Sequence, residues 1–247
     1  MSRADELLAA HGLRASDIEQ RISPNDVMFA GNIGAYLLGG AGSLRAIERG
    51  RRAAALTAVR SILDFGCGHG RALRVLKAAY PDARLVGCDV DRDGVDFCRT
   101  TLGVDTFVSD ADPRAIDLDD RFDAVWAGSV LTHVGAERWP LFLRWFEAHL
   151  NPGGAAIFTF QSHAARDLVQ ANGVDLSLAP GAPEALVREF DRAGFAYADY
   201  PGQDGYGVTL SSFEWVRDAV AATGLRIVDH AERGWGVHDV LTLTAGR

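Results

Sequence analysis

The stretch Ser61-Ile62-Leu63-Asp64-Phe65-Gly66-Cys67-Gly68-His69-Gly70-Arg71 decides the fold. A short apolar run carries an acid near its end and passes straight into three alternating glycines. Helix-forming sequence follows. A glycine-rich turn between a strand and a helix brings bare backbone amides close to a ligand. The spacing is Gly-x-Gly-x-Gly, whereas the dinucleotide fingerprint is Gly-x-Gly-x-x-Gly. Asp64 stands just before the turn. A carboxylate there repels a pyrophosphate but suits an ammonium or sulfonium group.

The same strand-then-helix texture extends outward. Strands are expected over 61–65, 84–89, 104–109, 122–127 and 155–160, with helices over 69–80, 92–101 and 137–150. That order implies βαβ units, a parallel sheet, and a ligand site at the carboxyl ends of the strands. A helix over 211–223 and strands over 225–230 and 237–244 close the chain. Residues 163–210 break the pattern; they are rich in Gly, Pro, Asp and Tyr and hold one plausible helix, 183–193. Residues 1–20 read as an amphipathic helix. The apolar, glycine-filled segment 27–40 reads as a packed stretch with tight backbone approaches rather than a surface helix. A further helix is expected over 43–56.

Composition narrows the function. The 247 residues carry 25 Lys and Arg against 33 Asp and Glu, a net charge of −8. That balance argues against a nucleic acid held through its phosphates. No stretch approaches the ~20 apolar residues of a membrane span, and the N-terminus does not read as a signal peptide, so no membrane partner is expected. Cys67, Cys88 and Cys98 lack CxxC spacing, so neither a metal site nor a disulfide framework is expected, and a reducing cytoplasm fits best. Cys88 and Cys98 read as small buried hydrophobes. Cys67 has a helix-start position that can activate a thiolate, but a spacer role is favoured.

Asp89 ends the second strand, where an acid bonds ribose hydroxyls in nucleoside-binding sheets. Asp110 ends the third, where its carboxylate or the following amide can meet an adenine edge. A ligand with hydroxyls, an exocyclic amine and a positive charge fits three such acids; a polyphosphate does not.

On these residues the chain resembles the class I S-adenosylmethionine-dependent methyltransferases, chiefly over 62–160, with 211–245 similar to the last two strands of that family. The resemblance implies a doubly wound, seven-stranded Rossmann-like α/β sheet whose last strand is antiparallel. It would be preceded by an N-terminal helical cap or lid, 1–59. Residues 60–247 would form the methyltransferase domain, with an acceptor-side insertion at 161–210. S-adenosyl-L-methionine is the implied cofactor. Asp64 with Gly66, Cys67, Gly68 and Gly70 would hold its methionine part, Asp89 with Val90 the ribose, and Asp110 with Ala111 the adenine. Phe122-Asp123-Ala124-Val125-Trp126 and Ser129-Val130-Leu131-Thr132-His133-Val134 resemble the fourth strand and the helix start after it. Leu150-Asn151-Pro152-Gly153-Gly154 resembles the turn before strand five. Ser129 and Tyr36 join the expected cofactor shell; Tyr36, Phe29 and Trp126 can flank a sulfonium through cation–π contact.

Methyl transfer is an in-line displacement, and a hydroxyl acceptor also needs a base. His163, after strand five, is the first choice by position, His133 the second and His238 the third. The aromatic stretch 195–215 reads as an acceptor wall or a dimer contact. The expected activity is methyl transfer to a small-molecule or glycan acceptor at oxygen, with a homodimer possible. The rival readings are a nicotinamide-dependent oxidoreductase on the same fold and a non-catalytic cofactor-binding scaffold.

Overall fold

The computed structural model describes residues 2–172 and 176–246. In chain order it contains α1 (Arg3–Ala9), α2 (Ile33–Ala53), β1 (Ser61–Phe65), α3 (Leu73–Ala79), β2 (Arg84–Asp89) and α4 (Arg92–Phe97). A π-helical turn, Cys98–Leu102, leads to β3 (Asp105–Val108), β4 (Phe122–Ala127), α5 (Trp139–Ala148) and β5 (Leu150–Phe160). Then come α6 (His163–Asn172), α7 (Ala182–Ala193), β6 (Phe195–Tyr200), β7 (Gln203–Ser211), α8 (Phe213–Ala221), β8 (Leu225–Trp235) and β9 (His238–Ala245).

Seven strands form one sheet in the order β3-β2-β1-β4-β5-β9-β8, and β6 with β7 forms a separate hairpin. The strands β1 to β5 pair in parallel, while β9 runs antiparallel to both β5 and β8. Strand order reverses between β1 and β4, which opens a crevice at their carboxyl ends. The fold expected from the sequence, with its antiparallel last strand, is the fold observed.

Alternation along the strands sorts the core into two layers. Ile62, Trp126 and Ile157 face α2 and α3, whereas Leu63, Val125 and Phe158 face α5 and α8. Helices cover both faces, so β1 is buried at every position, its polar Ser61 and Asp64 included.

The N-terminal region departs from expectation. Helix α1 stops at Ala9, and after a 3-10 turn at Ala15–Asp17 the chain passes α3, where the Arg74 guanidinium donates to the carbonyls of Glu19 and Arg21 at 2.9 Å each. Helix α2 is one 21-residue helix, where the sequence suggests a non-helical stretch followed by a helix from Ser43. It starts at Asn32, whose Oδ1 accepts the Ala35 amide at 3.0 Å, and it runs straight through its glycines. Those glycines are the condition for its packing. A Cβ on Gly40 would strike the Arg71 carbonyl and Val75; on Gly42 it would lie 2.9 Å from the Trp235 ring, and on Gly50 2.7 Å from Ile157. The tight approaches read from the sequence are therefore present, inside a helix whose lost propensity is offset by close packing.

The interrupted region 161–210 holds more order than its composition suggests. Helix α6 and the β6–β7 hairpin join the anticipated helix, and Leu186, Phe190, Val208 and Leu210 give the region a small core of its own. Polar and glycine-rich hairpins show little periodicity over so few residues. Among the described residues, no helix is long and apolar enough to cross a membrane.

Gly40→Ala is expected to destabilise the protein by about 1–3 kcal/mol through overpacking against backbone, although alanine is the better helix former. Urea unfolding of the two proteins measures this; equal midpoints would show that α2 can move away from α3.

Candidate active site

The turn after β1 is shaped by positive φ at Gly66, Gly68 and Gly70, at 79°, 49° and 79°. A side chain at Gly66 or Gly70 would also collide with Val130 or Leu102, so both conformation and space require glycine there. The Gly68 amide donates to Asp89 Oδ2 at 2.7 Å, which locks the turn onto the end of β2. The Asp91 amide donates to Asp89 Oδ1 at 2.9 Å. Each Asp89 oxygen retains a lone pair for a ligand hydroxyl. His69 braces the turn from behind through Nε2, 2.8 Å from Asp93 Oδ2.

Asp64 is 2% exposed, and its Oδ2 has no hydrogen-bond partner. Burial pushes its pKa up to about 7, with the Asp89 charge adding to the rise and Arg71 opposing it. Arg71 follows the glycine turn. Its guanidinium lies 5.2 Å from the centre of the Trp235 ring, against Gly39 of α2, and makes no hydrogen bond among the described residues. Burial lowers its pKa, while Tyr36, Asp26 and Asp64 act to hold its charge. An unpaired carboxylate and an unpaired guanidinium thus share one recess. That donor set matches the ammonium and carboxylate of an α-amino acid.

The other expected nucleoside residues line the edge. Val90 is 59% exposed beside Asp89. Asp110 and Ala111 are exposed after β3; Asp110 Oδ1 accepts the Asp112 amide at 2.8 Å, and the Ala111 carbonyl accepts from Arg138. Tyr36 is buried, with its hydroxyl donating to Asp26 at 2.5 Å and its ring under the Arg74 guanidinium, so it walls the recess rather than presenting a free hydroxyl. Cys67 is also buried. Hydrogen bonding with Cys98, then burial, hold its thiol well above its ordinary range, which fits a spacer and not a nucleophile.

Across the crevice, β4 ends in a strained turn. Ser129 adopts φ 63°, held there by its amide donating to Thr159 Oγ1 at 2.7 Å. Ser129 Oγ lies 3.5 Å from His133 Nε2. The opposite nitrogen of His133, Nδ1, lies 2.7 Å from the Gly207 carbonyl. A carbonyl can only accept, so the proton sits on Nδ1 and the lone pair on Nε2. Burial lowers the His133 pKa, which keeps the ring neutral at pH 7. Tyr206 stacks on this ring at 5.0 Å.

The antiparallel turn of β8 into β9 brings His238 to the carboxyl end of β5, since Phe160 pairs with Asp239. Gln161 Nε2 lies 3.2 Å from His238 Nε2, and His238 Nδ1 is buried without a partner. Burial, reinforced by His133 and Arg71, pushes His238 down to about 4. His133 and His238 therefore share one site. His163 does not join them: it is the first residue of α6, exposed, with its ring packed on Phe190 of α7. It does follow β5, as the sequence implies, but the helix that begins there aims the side chain outward. Sequence reasoning also passes over Arg71, Gln161 and Trp235. Arg71 has a legible signal, a lone cation adjoining a glycine turn; the other two depend on the β8–β9 turn.

A family described as a methyltransferase domain matches residues 62–154. A fatty-acid O-methyltransferase of Mycolicibacterium smegmatis is 31% identical over 103 residues, which are 40% of this chain and 36% of that protein. The chain thus matches about a third of that relative's length. Among solved structures, Streptomyces venezuelae DesVI is 20% identical with a TM-score of 0.59, over 92% of this chain and all of the other. A sugar N-methyltransferase from a Streptoalloteichus species is 18% identical with a TM-score of 0.58, over 85% of this chain and 88% of the other. A glycopeptide N-methyltransferase solved with S-adenosylmethionine is 12% identical with a TM-score of 0.54, over 82% of this chain and 88% of the other. Residues 62–154 thus match a methyltransferase domain, and the fold that surrounds them is the one seen in solved S-adenosylmethionine-dependent methyltransferases.

Proposed function

We propose that the chain transfers a methyl group from S-adenosylmethionine to a hydroxyl oxygen of a small, uncharged acceptor, with sugars included. The observation that carries this reading is the buried, unpaired Asp64 and the half-buried, unpaired Arg71 that acts on its charge, beneath the glycine turn and beside Asp89. Asp64 would take the ammonium of the cofactor, Arg71 its carboxylate, Asp89 its ribose hydroxyls, and the Asp110–Ala111 edge its adenine. The cofactor supplies an electrophilic methyl group on a sulfonium. The protein aligns the acceptor with it, excludes water and accepts one proton. His133 Nε2 is the group placed to accept that proton. Neutral His238, through its unpartnered Nδ1, and Gln161 would orient the hydroxylated acceptor. Two neutral imidazoles and aromatic Tyr206 offer no charge partner for an ionised acceptor. The name of the O-methyltransferase relative supports oxygen as the accepting atom.

Thermal-shift titration with S-adenosylhomocysteine and with NAD tests the cofactor. Stabilisation by S-adenosylhomocysteine alone is expected, and stabilisation by NAD alone would overturn the reading. Asp89→Ala should weaken S-adenosylhomocysteine about 10-fold or more, as hydrogen bonds to a charged group are lost. His133→Gln should spare that affinity while lowering methyl transfer to a hydroxylated acceptor by roughly 10²–10⁴-fold. Equal turnover in the variant would remove His133 as the base.

The Asp64 shift gives a pH dependence. The folded pKa is about 7 against an ordinary 3.8. The native protein therefore binds more protons than the unfolded chain between these values, and this contribution to stability is lost as pH rises towards 7. Asp64→Asn should make the ligand-free protein more stable at pH 8, by up to ~4 kcal/mol. S-adenosylhomocysteine needs the ionised carboxylate, so its affinity should rise with pH and level off above about 7 in the native protein. In Asp64→Asn the affinity should be low and lack that rise. Calorimetric titration at pH 5.5, 7 and 8.5 measures both.

A further inference from the structure

The β6–β7 hairpin makes contacts that a simple acceptor wall would not need. Its Gly207 carbonyl accepts from His133 Nδ1 at 2.7 Å, and its Tyr206 ring stacks on the same imidazole. A side chain at Gly207 would run into the backbone of β6 at Ala198, so only glycine lets this carbonyl lie where it does. The hairpin tip is then tied down from outside the insertion. Arg138, just before α5, donates from Nη1 to the Gly205 carbonyl at 2.9 Å and from Nη2 to the Ala111 carbonyl. Its guanidinium is held over the Phe142 ring at 5.6 Å. That stacking orients the planar fork towards both carbonyls. On the other side of the tip, Asp199 Oδ1 accepts the Gly205 amide at 2.8 Å and the Tyr197 hydroxyl at 2.5 Å.

Resting on the reading of His133 as the base, we propose that Arg138 is a positioning residue for it: by fastening the hairpin tip to the Ala111 carbonyl, it keeps the Gly207 carbonyl on Nδ1 and so fixes the tautomer that leaves Nε2 free. Neutral histidine carries its proton on either nitrogen, and the hydrogen bond made by one decides the state of the other. Among the described residues no other strong acceptor meets Nδ1; the Tyr200 hydroxyl, 3.4 Å away, stands on the same hairpin. The Ala111 carbonyl belongs to the edge assigned to adenine. Arg138 therefore links the nucleoside end of the cleft to the protonation pattern of the base at its methyl end.

The test reads the tautomer directly and needs no acceptor. Long-range ¹H–¹⁵N spectra of ¹⁵N-histidine protein, with and without S-adenosylhomocysteine, report which ring nitrogen of His133 carries the proton; His133→Gln assigns the signals. The native protein should show the Nδ1–H form. Arg138→Ala should show a mixture of both tautomers, with amide exchange at 205–207 accelerated about 10-fold. Arg138→Lys, which keeps the charge but lacks the two-pronged fork, should fall between. Asp199→Ala, which loosens the tip from the opposite side, should shift the tautomer in the same direction. A His133 that stays in the Nδ1–H form in Arg138→Ala, with exchange at 205–207 unchanged, would overturn the proposal. If S-adenosylhomocysteine fails to bind the native protein while the tautomer responds to Arg138, the cofactor reading fails and the positioning role stands.

Discussion

A carboxylate buried without a hydrogen bond is among the most costly arrangements a protein can hold. Asp64 is placed in that position by β1, which runs through the centre of the sheet between β2 and β4. The surrounding features follow from it. Arg71 faces it without touching another acceptor, Asp89 approaches but is already held by backbone amides, and the glycine turn between them presents no side chain. The site is electrostatically unfinished in the ligand-free chain. On the proposed reading, a zwitterion would complete it, with binding energy drawn from a cost that folding has already met.

The packing around Arg71 and Trp235 comes from the N-terminal region. Helix α2 approaches α3, β5 and the β8–β9 turn so closely that three of its glycines leave no room for a methyl group. The same approach places Gly39 against Arg71 and Gly42 against Trp235, and Trp235 Nε1 donates to the Gly39 carbonyl at 3.0 Å. Tyr36 and Asp26 close the remaining side. The N-terminal segment thus lies against Arg71 and Trp235, and on the proposed reading it would wall the end of the site that takes the methionine part.

The legible part of the chain is the part governed by local rules. Period-two strands, the glycine turn and three strand-terminal acids point to the sheet, its cofactor end and the antiparallel last strand. Helix α2 is misread from sequence because its glycines are unfavourable in an isolated helix. They are explained only by neighbours far along the chain, Arg71, Ile157 and Trp235. Position after strand five puts His163 ahead of His133 in the sequence. Where each side chain lies depends on α6 starting at His163 and on a hairpin far beyond β4 returning to meet His133. Contacts of that kind leave no trace in spacing.

The second sheet has its own small core, in which Leu186 and Phe190 of α7 meet Val208 and Leu210 of β7. It joins the main body at few polar points: the Ser211 amide on the Gln161 carbonyl at 2.8 Å, Thr209 Oγ1 on the Val134 carbonyl at 2.6 Å, Arg138 on the Gly205 carbonyl at 2.9 Å, and Gly207 on His133. A subdomain stabilised from within can accumulate substitutions, lengthen its tip or change its aromatic face while the seven strands stay as they are. On the proposed reading, selection for a new acceptor would then have a region to act on that places little demand on folding, provided those attachment points are kept.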